Sequence, residues 1–108
     1  MKRGDVYMVD LDPTHGHEQR GRRPVVVVST ERFNRLTACP VVLPITYGGD
    51  YARRIGFAVP ISGIRTTGIV RCDQPRTLDL EARNGHKVDT LPAAILDDVL
   101  ATVAAIFA

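Results

Sequence analysis

The chain has 108 residues, 44 % hydrophobic and 24 % charged but only 6 % aromatic, with a formal net charge of +2. That length suits a single domain over residues 1–108 with one aliphatic core, and the mix of apolar and charged residues excludes a disordered chain. A charge of +2 does not signal nucleic acid by itself, and no apolar run approaches the roughly 20 residues of a membrane span or forms a signal-peptide core, so we expect a cytoplasmic protein with no membrane partner.

In chain order, Asp5–Leu11 reads as an apolar-rich strand stopped by the turn signal Asp12-Pro13. Thr14–Arg23 holds His15, His17, Glu18, two glycines and three arginines without periodicity, and reads as a long exposed loop of the kind that often carries function. His15 and His17 lack a matching third ligand, so we expect no metal site there. Pro24–Ser29 is a β-branched run suited to a central strand buried on both faces. A short helical turn is expected at Glu31–Leu36 and a strand at Val41–Thr46, part of which Pro44 demotes to an edge or bulge. Tyr47-Gly48-Gly49-Asp50 breaks the chain, and extended structure resumes at Gly56–Pro60. After Ser62-Gly63, Ile64–Asp73 is expected to hold a strand, followed by a short strand at Thr77–Leu80. From Leu91 to Phe107 apolar residues recur every three or four positions, which predicts an amphipathic helix with Thr90 as N-cap and Pro92 in its first turn. Short strands joined by turns and one terminal helix predict a mainly β fold with α, a small bent antiparallel barrel. Cys39 and Cys72 have no ligand spacing and read as free thiols, Cys72 as a small buried hydrophobe.

The stretch Gly68–Arg76 organises the rest, because it sets strong polar groups into an apolar strand-like run. Strand alternation puts Val70 and Cys72 on the buried face and Ile69, Arg71 and Asp73 on the open one. Arg71 and Asp73 would then sit about 6.6 Å apart at Cα, a spacing able to flank one phosphate. A surface ion pair worth little is the plainer alternative. Charge is uneven as well: residues 1–88 carry +5 and the remainder −3, with arginines clustered at Arg20, Arg22, Arg23 and at Arg53, Arg54 in loop-like stretches. Such clusters fit either a solvated face or phosphate contacts.

Arg3-Gly4-Asp5-Val6-Tyr7, Asp12-Pro13-Thr14, Gly16-His17-Glu18-Gln19, Gly21 and Arg23-Pro24 form an N-terminal signature that resembles the MazF/PemK/Kid family of bacterial toxins, in its PemK/Kid branch. Phe33-Asn34-Arg35, Pro44-Ile45-Thr46, Gly48-Gly49, Ala52-Arg53, Gly56-Phe57 and Arg65–Gly68 through Arg76-Thr77 continue the likeness over nearly the whole chain. The resemblance implies an SH3-like barrel and a homodimeric endoribonuclease that cuts single-stranded RNA selectively and is neutralised by a cognate antitoxin. By position it implies Arg71 and Asp73 as catalytic residues with His17 assisting, and Thr46, Phe57 and Thr67 as residues that help hold the bases. We add Gln74, Arg53 and Arg23 as RNA-binding candidates, with no cofactor. Three features depart from the pattern and touch the recognition loops: Tyr47 replaces a small hydroxyl residue, Ile55 is bulkier than the expected alanine, and the segment at Ser62-Gly63 is about two residues short.

RNA can be cut without water when its own 2′-hydroxyl attacks phosphorus, which needs a base, support for the phosphoryl oxygens and a proton for the leaving 5′-oxygen. Asp73 suits the base and Arg71 the phosphate, since a guanidinium of pKa roughly 12.5 or above is a poor proton donor. His17 titrates where it can share acid or base work. The metal-free expectation rests on the absence of a zinc or magnesium ligand set in the sequence. Competing readings are a toxin of the same fold group that poisons DNA gyrase, a non-catalytic RNA-binding module, for which six aromatics make a poor stacking surface, and an enzyme inactivated by its loop changes. The antitoxin is expected to be an acidic, partly disordered segment covering the Arg20, Arg22 and Arg23 loop.

Overall fold

Four consecutive valines sit at the centre of the molecule. In the computed structural model, which describes residues 1–11, 21–47 and 50–108, Val25–Val28 are all buried. Val26 and Val28 join a core with Val6, Leu43, Ile45, Val70, Leu91 and Val99, whereas Val25 and Val27 join a second with Val9, Val42, Leu78 and Leu80. Alternate residues of one strand thus feed two cores on opposite faces of a sheet, which is why the run is continuously apolar.

The elements are β1 (Asp5–Asp10), β2 (Arg22–Val27), α1 (Glu31–Thr37), β3 (Val41–Thr46), α2 (Asp50–Arg54), β4 (Ala58–Pro60), β5 (Ile69–Arg71), β6 (Arg76–Thr77), β7 (His86–Thr90) and α3 (Ala93–Ala104). All pairings among the described residues are antiparallel, in the order β4-β5-β3-β2-β1-β7, with β6 also pairing β3. β3 pairs β6 through Val41 and Val42 and β5 through Ile45 and Thr46, so Pro44 falls between those two partners and its missing N–H costs no ladder bond there. β3 is therefore an interior strand with an edge only locally at Pro44.

Helix α3 closes the first core: Val99 is fully buried, and Ile95, Leu96, Leu100 and Val103 pack against the cluster. Its N-terminus differs from the expectation. Pro92 is the N-cap without a side-chain cap bond, and Thr90 ends β7. Helix α1 is capped by Thr30, whose Oγ1 accepts from the Phe33 N–H at 3.2 Å, and ends on Ala38 in the left-handed region. Its Asn34, 1 % exposed, donates to the carbonyls of Met1 and Ser29 and accepts from the Ser29 hydroxyl, tying the N-terminus to the junction after β2.

Five sequence expectations are corrected here. β2 starts at Arg22 rather than Pro24, because Arg22 and Arg23 pair with Asp10 and Val9; residues 12–20 of the expected loop lie outside the described residues. Arg53 and Arg54 belong to α2 rather than a loop. The strand expected within Ile64–Asp73 is only Ile69–Arg71, and the one expected at Thr77–Leu80 is Arg76–Thr77. Ile69 is buried rather than open: at 1 % exposure beside Val70 at 0 %, two successive residues that point to opposite faces are both covered, so β5 is buried on both faces at that point.

Candidate active site

β5 is short because its two ends are fixed by the backbone. At its start Gly68 has φ 122°, and a Cβ there would lie 2.7 Å from the Thr46 carbonyl oxygen, so only glycine lets the chain cross β3 this closely. At its end the Cys72 N–H donates to the Phe57 and Val70 carbonyls, at 2.9 and 3.1 Å, and the Gln74 N–H donates back to the Arg71 carbonyl at 3.2 Å. Asp73 therefore stands in a turn, not on a strand face as the alternation suggested.

The turn folds the carboxylate onto the arginine. Arg71 Nε donates to Asp73 Oδ1 and Nη2 to Oδ2, both at 2.9 Å, a fork-to-fork pair with side chains 18 % and 21 % exposed. The hydrogen bonds from Arg71 hold the Asp73 carboxyl below its usual range, and those to Asp73 raise the already high pKa of the guanidinium. As it stands the pair offers a weak base and a still weaker acid, but the Nη1 edge of Arg71 is used by neither bond. Beneath it Cys72 is fully buried, and burial pushes its thiol up to about 11, so it is packing and not a nucleophile.

Arg71 forms part of the wall of a groove of about 900 Å³. Arg23 and Arg65 share that wall, Met8, Leu11, Pro24 and Pro44 supply apolar surface, and Gln74 continues it past the turn. Thr46, Tyr47 and Thr67 also line it, with the Tyr47 hydroxyl and Thr67 Oγ1 2.7 Å apart and the Tyr47 side chain largely in solvent at 78 % exposure. The remaining polar pair is Thr66 with Asp89: Asp89 Oδ2 accepts the Thr66 N–H at 2.9 Å and its hydroxyl at 2.6 Å.

The groove thus gathers Arg71, Gln74, Thr46, Thr67 and Arg23 from the sequence reading, with Asp73 held against Arg71. It does not gather Phe57 or Arg53. Phe57 packs against the main core and acts on the site through its carbonyl to Cys72, and Arg53 is exposed on α2. His17 lies outside the described residues. Sequence reasoning gave no site role to Arg65, Thr66 or Asp89. The first two sit in the quoted Arg65–Gly68 motif, but Asp89 is on β7, which the sequence reading passed over. Arg22 turns away from phosphate duty: it donates to Asp10 Oδ1 at 2.9 Å and to the carbonyls of Met8 and Asn84 at 2.8 and 2.6 Å, and the hydrogen bond from the Asn84 amide, aided by Arg22, keeps the Asp10 carboxyl below its usual range.

Residues 2–107 match the model of the PemK-like, MazF-like toxin of type II toxin-antitoxin systems. The chain belongs to this toxin family. It is 53 % identical over 108 residues to the endoribonuclease PemK of Escherichia coli, covering 98 % of the chain and 81 % of PemK. To the endoribonuclease toxin ChpB of Escherichia coli K12 it is 37 % identical, over 97 % of the chain and 92 % of ChpB. Among solved structures, a MazE-MazF complex of Deinococcus radiodurans superposes with a TM-score of 0.85 at 27 % identity, over 99 % of the chain and 95 % of its counterpart. A mycobacterial endoribonuclease in complex with its cognate antitoxin gives 0.80 at 26 %, over 99 % and 94 %. The mainly β antiparallel sheet with a C-terminal helix is accordingly the architecture of these toxins, as the sequence implied.

Proposed function

We propose that this toxin is an endoribonuclease that cuts single-stranded RNA, working in the cytoplasm as a homodimer and silenced by an acidic antitoxin. The observation that carries the reading is the Arg71–Asp73 pair at the wall of a groove lined by three arginines. Arg71 binds the scissile phosphate through its Nη1 edge and supports the charge that grows on the phosphoryl oxygens. A phosphate that also reaches Nη2 competes there with Asp73, so RNA binding loosens the 2.9 Å Nη2–Oδ2 bond and frees a carboxylate oxygen to take the 2′-hydroxyl proton. The 2′-oxygen then bonds to phosphorus as the bond to the 5′-oxygen breaks, leaving a 2′,3′-cyclic phosphate and a 5′-hydroxyl. His17 is the best supplier of the leaving-group proton, since imidazole titrates near neutrality and Arg71 does not.

Thr46, Thr67, Gln74 and Tyr47 meet the bases, and Arg23 and Arg65 the neighbouring phosphates. The homodimer is carried over from the likeness to this toxin family. The antitoxin is assigned to the same cationic wall, through Arg23 and Arg65, which line it. Among the described residues no helix is long and apolar enough to cross a membrane.

The test is a pair of oligonucleotides differing by one 2′-deoxy nucleotide on the 5′ side of the cut, assayed in EDTA. The all-ribose strand should be cleaved and the deoxy strand bound but left whole. Cleavage of the deoxy strand, or a strict need for Mg²⁺, rules out internal attack. Inhibition of DNA supercoiling without RNA cleavage would instead favour the gyrase-poison alternative.

A further inference from the structure

Besides Asp73, whose carboxylate is held on Arg71, one carboxylate lines the groove of arginines among the described residues, that of Asp89 on β7. Nothing about phosphate binding explains it. A phosphate beside Asp89 is repelled, whereas Arg23, Arg65 and Arg71 line the same space and attract one. A strand in the groove therefore runs its backbone along the arginines, and what reaches Asp89 is a base.

The carboxylate is also held ready to read one. Oδ2 accepts twice from Thr66, at 2.9 Å from the N–H and 2.6 Å from the hydroxyl, which fixes the plane of the group. Oδ1 has no hydrogen-bond partner among the described residues. A fixed anionic acceptor prefers a base edge that presents an amino group, as adenine N6 and cytosine N4 do. Uracil presents one N–H between two carbonyls, and its carbonyls are repelled. Thr66 follows Arg65 and precedes Thr67, so the same clamp sets both neighbours in the groove wall.

We infer that Asp89 is a specificity-determining residue: at one position of the cleaved RNA it selects a base bearing an exocyclic amino group over uracil. The inference rests on the endoribonuclease reading above. Primer extension on a long natural RNA should find cut sites with one position near the scissile bond free of uracil. On oligonucleotides of that sequence, replacing the amino-bearing nucleoside by its counterpart without the amino group (uridine for cytidine, purine riboside for adenosine) should lower kcat/KM by about 10- to 100-fold, the range for one hydrogen bond to a charged group. In Asp89→Asn the amide oxygen still accepts from Thr66 while its NH₂ faces the groove, so that ratio should fall to about 1 or reverse, as expected when an acceptor is exchanged for a donor.

Equal kcat/KM for the two oligonucleotides with the wild-type protein overturns the inference while leaving the nuclease reading intact. So does an Asp89→Asn enzyme that cuts both more slowly at an unchanged ratio, because a purely structural clamp predicts that result. If Asp89→Asn does not fold, the wild-type comparison decides alone. A wild-type protein that cuts no RNA overturns both readings.

Discussion

The Arg71–Asp73 pair should behave as one catalytic unit with a modest structural share. Its two parallel bonds of 2.9 Å are charge-assisted, and about a fifth of each side chain reaches solvent. Hydrogen bonds to charged groups contribute about 1.5–3 kcal/mol when shielded, exposed ion pairs about 0.2–1, and partial exposure puts this one at about 1 kcal/mol. Unfolding entropy of about 2.1 cal/mol/K per residue then converts the loss in Arg71→Ala or Asp73→Ala into a Tm drop of about 4 °C. Activity should fall much further. Losing a phosphate-directed donor costs about 10²–10³ in rate, and losing a general base about 10²–10⁴. Because the fork of two bonds is what positions the Asp73 carboxylate beside the bound phosphate, losing either residue disables the other, and the double variant should lose no more than the worse single one. The assay is kcat/KM on a short fluorogenic RNA, with calorimetric melting of all four proteins. Losses that multiply in the double variant would show that the two residues act independently. A single variant that keeps wild-type kcat/KM would remove the pair from the chemistry.

Tyr47→Ala should raise KM for RNA by roughly 10-fold, as loss of one stacked base implies, while Tyr47→Phe, which keeps the ring, should stay near wild type; equal KM values for Ala and Phe would end the stacking role. Gly68→Ala forces a Cβ to 2.7 Å from the Thr46 oxygen at φ 122°, so about 1–3 kcal/mol of strain should appear as lower Tm, and an unchanged melt refutes the close-approach argument. Arg22→Ala should lower Tm by several degrees and leave KM alone, whereas Arg23→Ala should raise KM and reduce the salt slope of RNA binding by about 1; the opposite pattern would reverse the roles assigned to them. Arg71 lowers the Asp73 pKa in the fold, so the pair's stabilisation is complete above the unfolded carboxyl's pKa of about 3.9 and is lost as pH falls through the folded value. The stability deficit of Asp73→Asn should accordingly shrink toward zero as pH falls through the folded carboxyl's lowered pKa, and a deficit constant with pH would contradict the pairing.

Patterns long enough to average over context were legible from sequence, and those set by single contacts were not. Val25–Val28 announced a doubly covered central strand because every residue had to be apolar, whichever face it served. The spacing from Leu91 to Val103 announced α3, but its start was misplaced because Thr90 is taken by β7, which pairs Asp5 with Thr90 and Val6 with Asp89. That strand, His86-Lys87-Val88-Asp89-Thr90, has no apolar alternation to reveal it, since four of its five residues are exposed and the edge of the sheet asks nothing apolar of it. It is held by pairing and by the ion pair from Lys87 to the buried Asp5 at 3.2 Å, neither of which a hydropathy pattern records.

The site divides along the same line. Arg71 and Asp73 stood out because strong charges inside an apolar run are conspicuous, yet alternation put them on a strand face when a turn holds them, and the turn is what makes the bidentate fork possible. Two residues apart on a straight strand, at about 6.6 Å between Cα atoms, the side chains would lie parallel. Turned at Cys72 and Gln74, they close into two bonds of 2.9 Å. The arginine cluster was similarly half legible. Composition could not separate Arg22, which bonds Asp10 and two carbonyls, from its neighbour Arg23, which lines the groove. Adjacent positions of one strand point to opposite faces, so a pair of arginines beside a phosphate-binding groove naturally supplies one structural and one ligand-facing cation. That alternation is the reason a count of basic residues overstates the charge available to RNA, and why the salt dependence of binding should report fewer contacts than the cluster suggests.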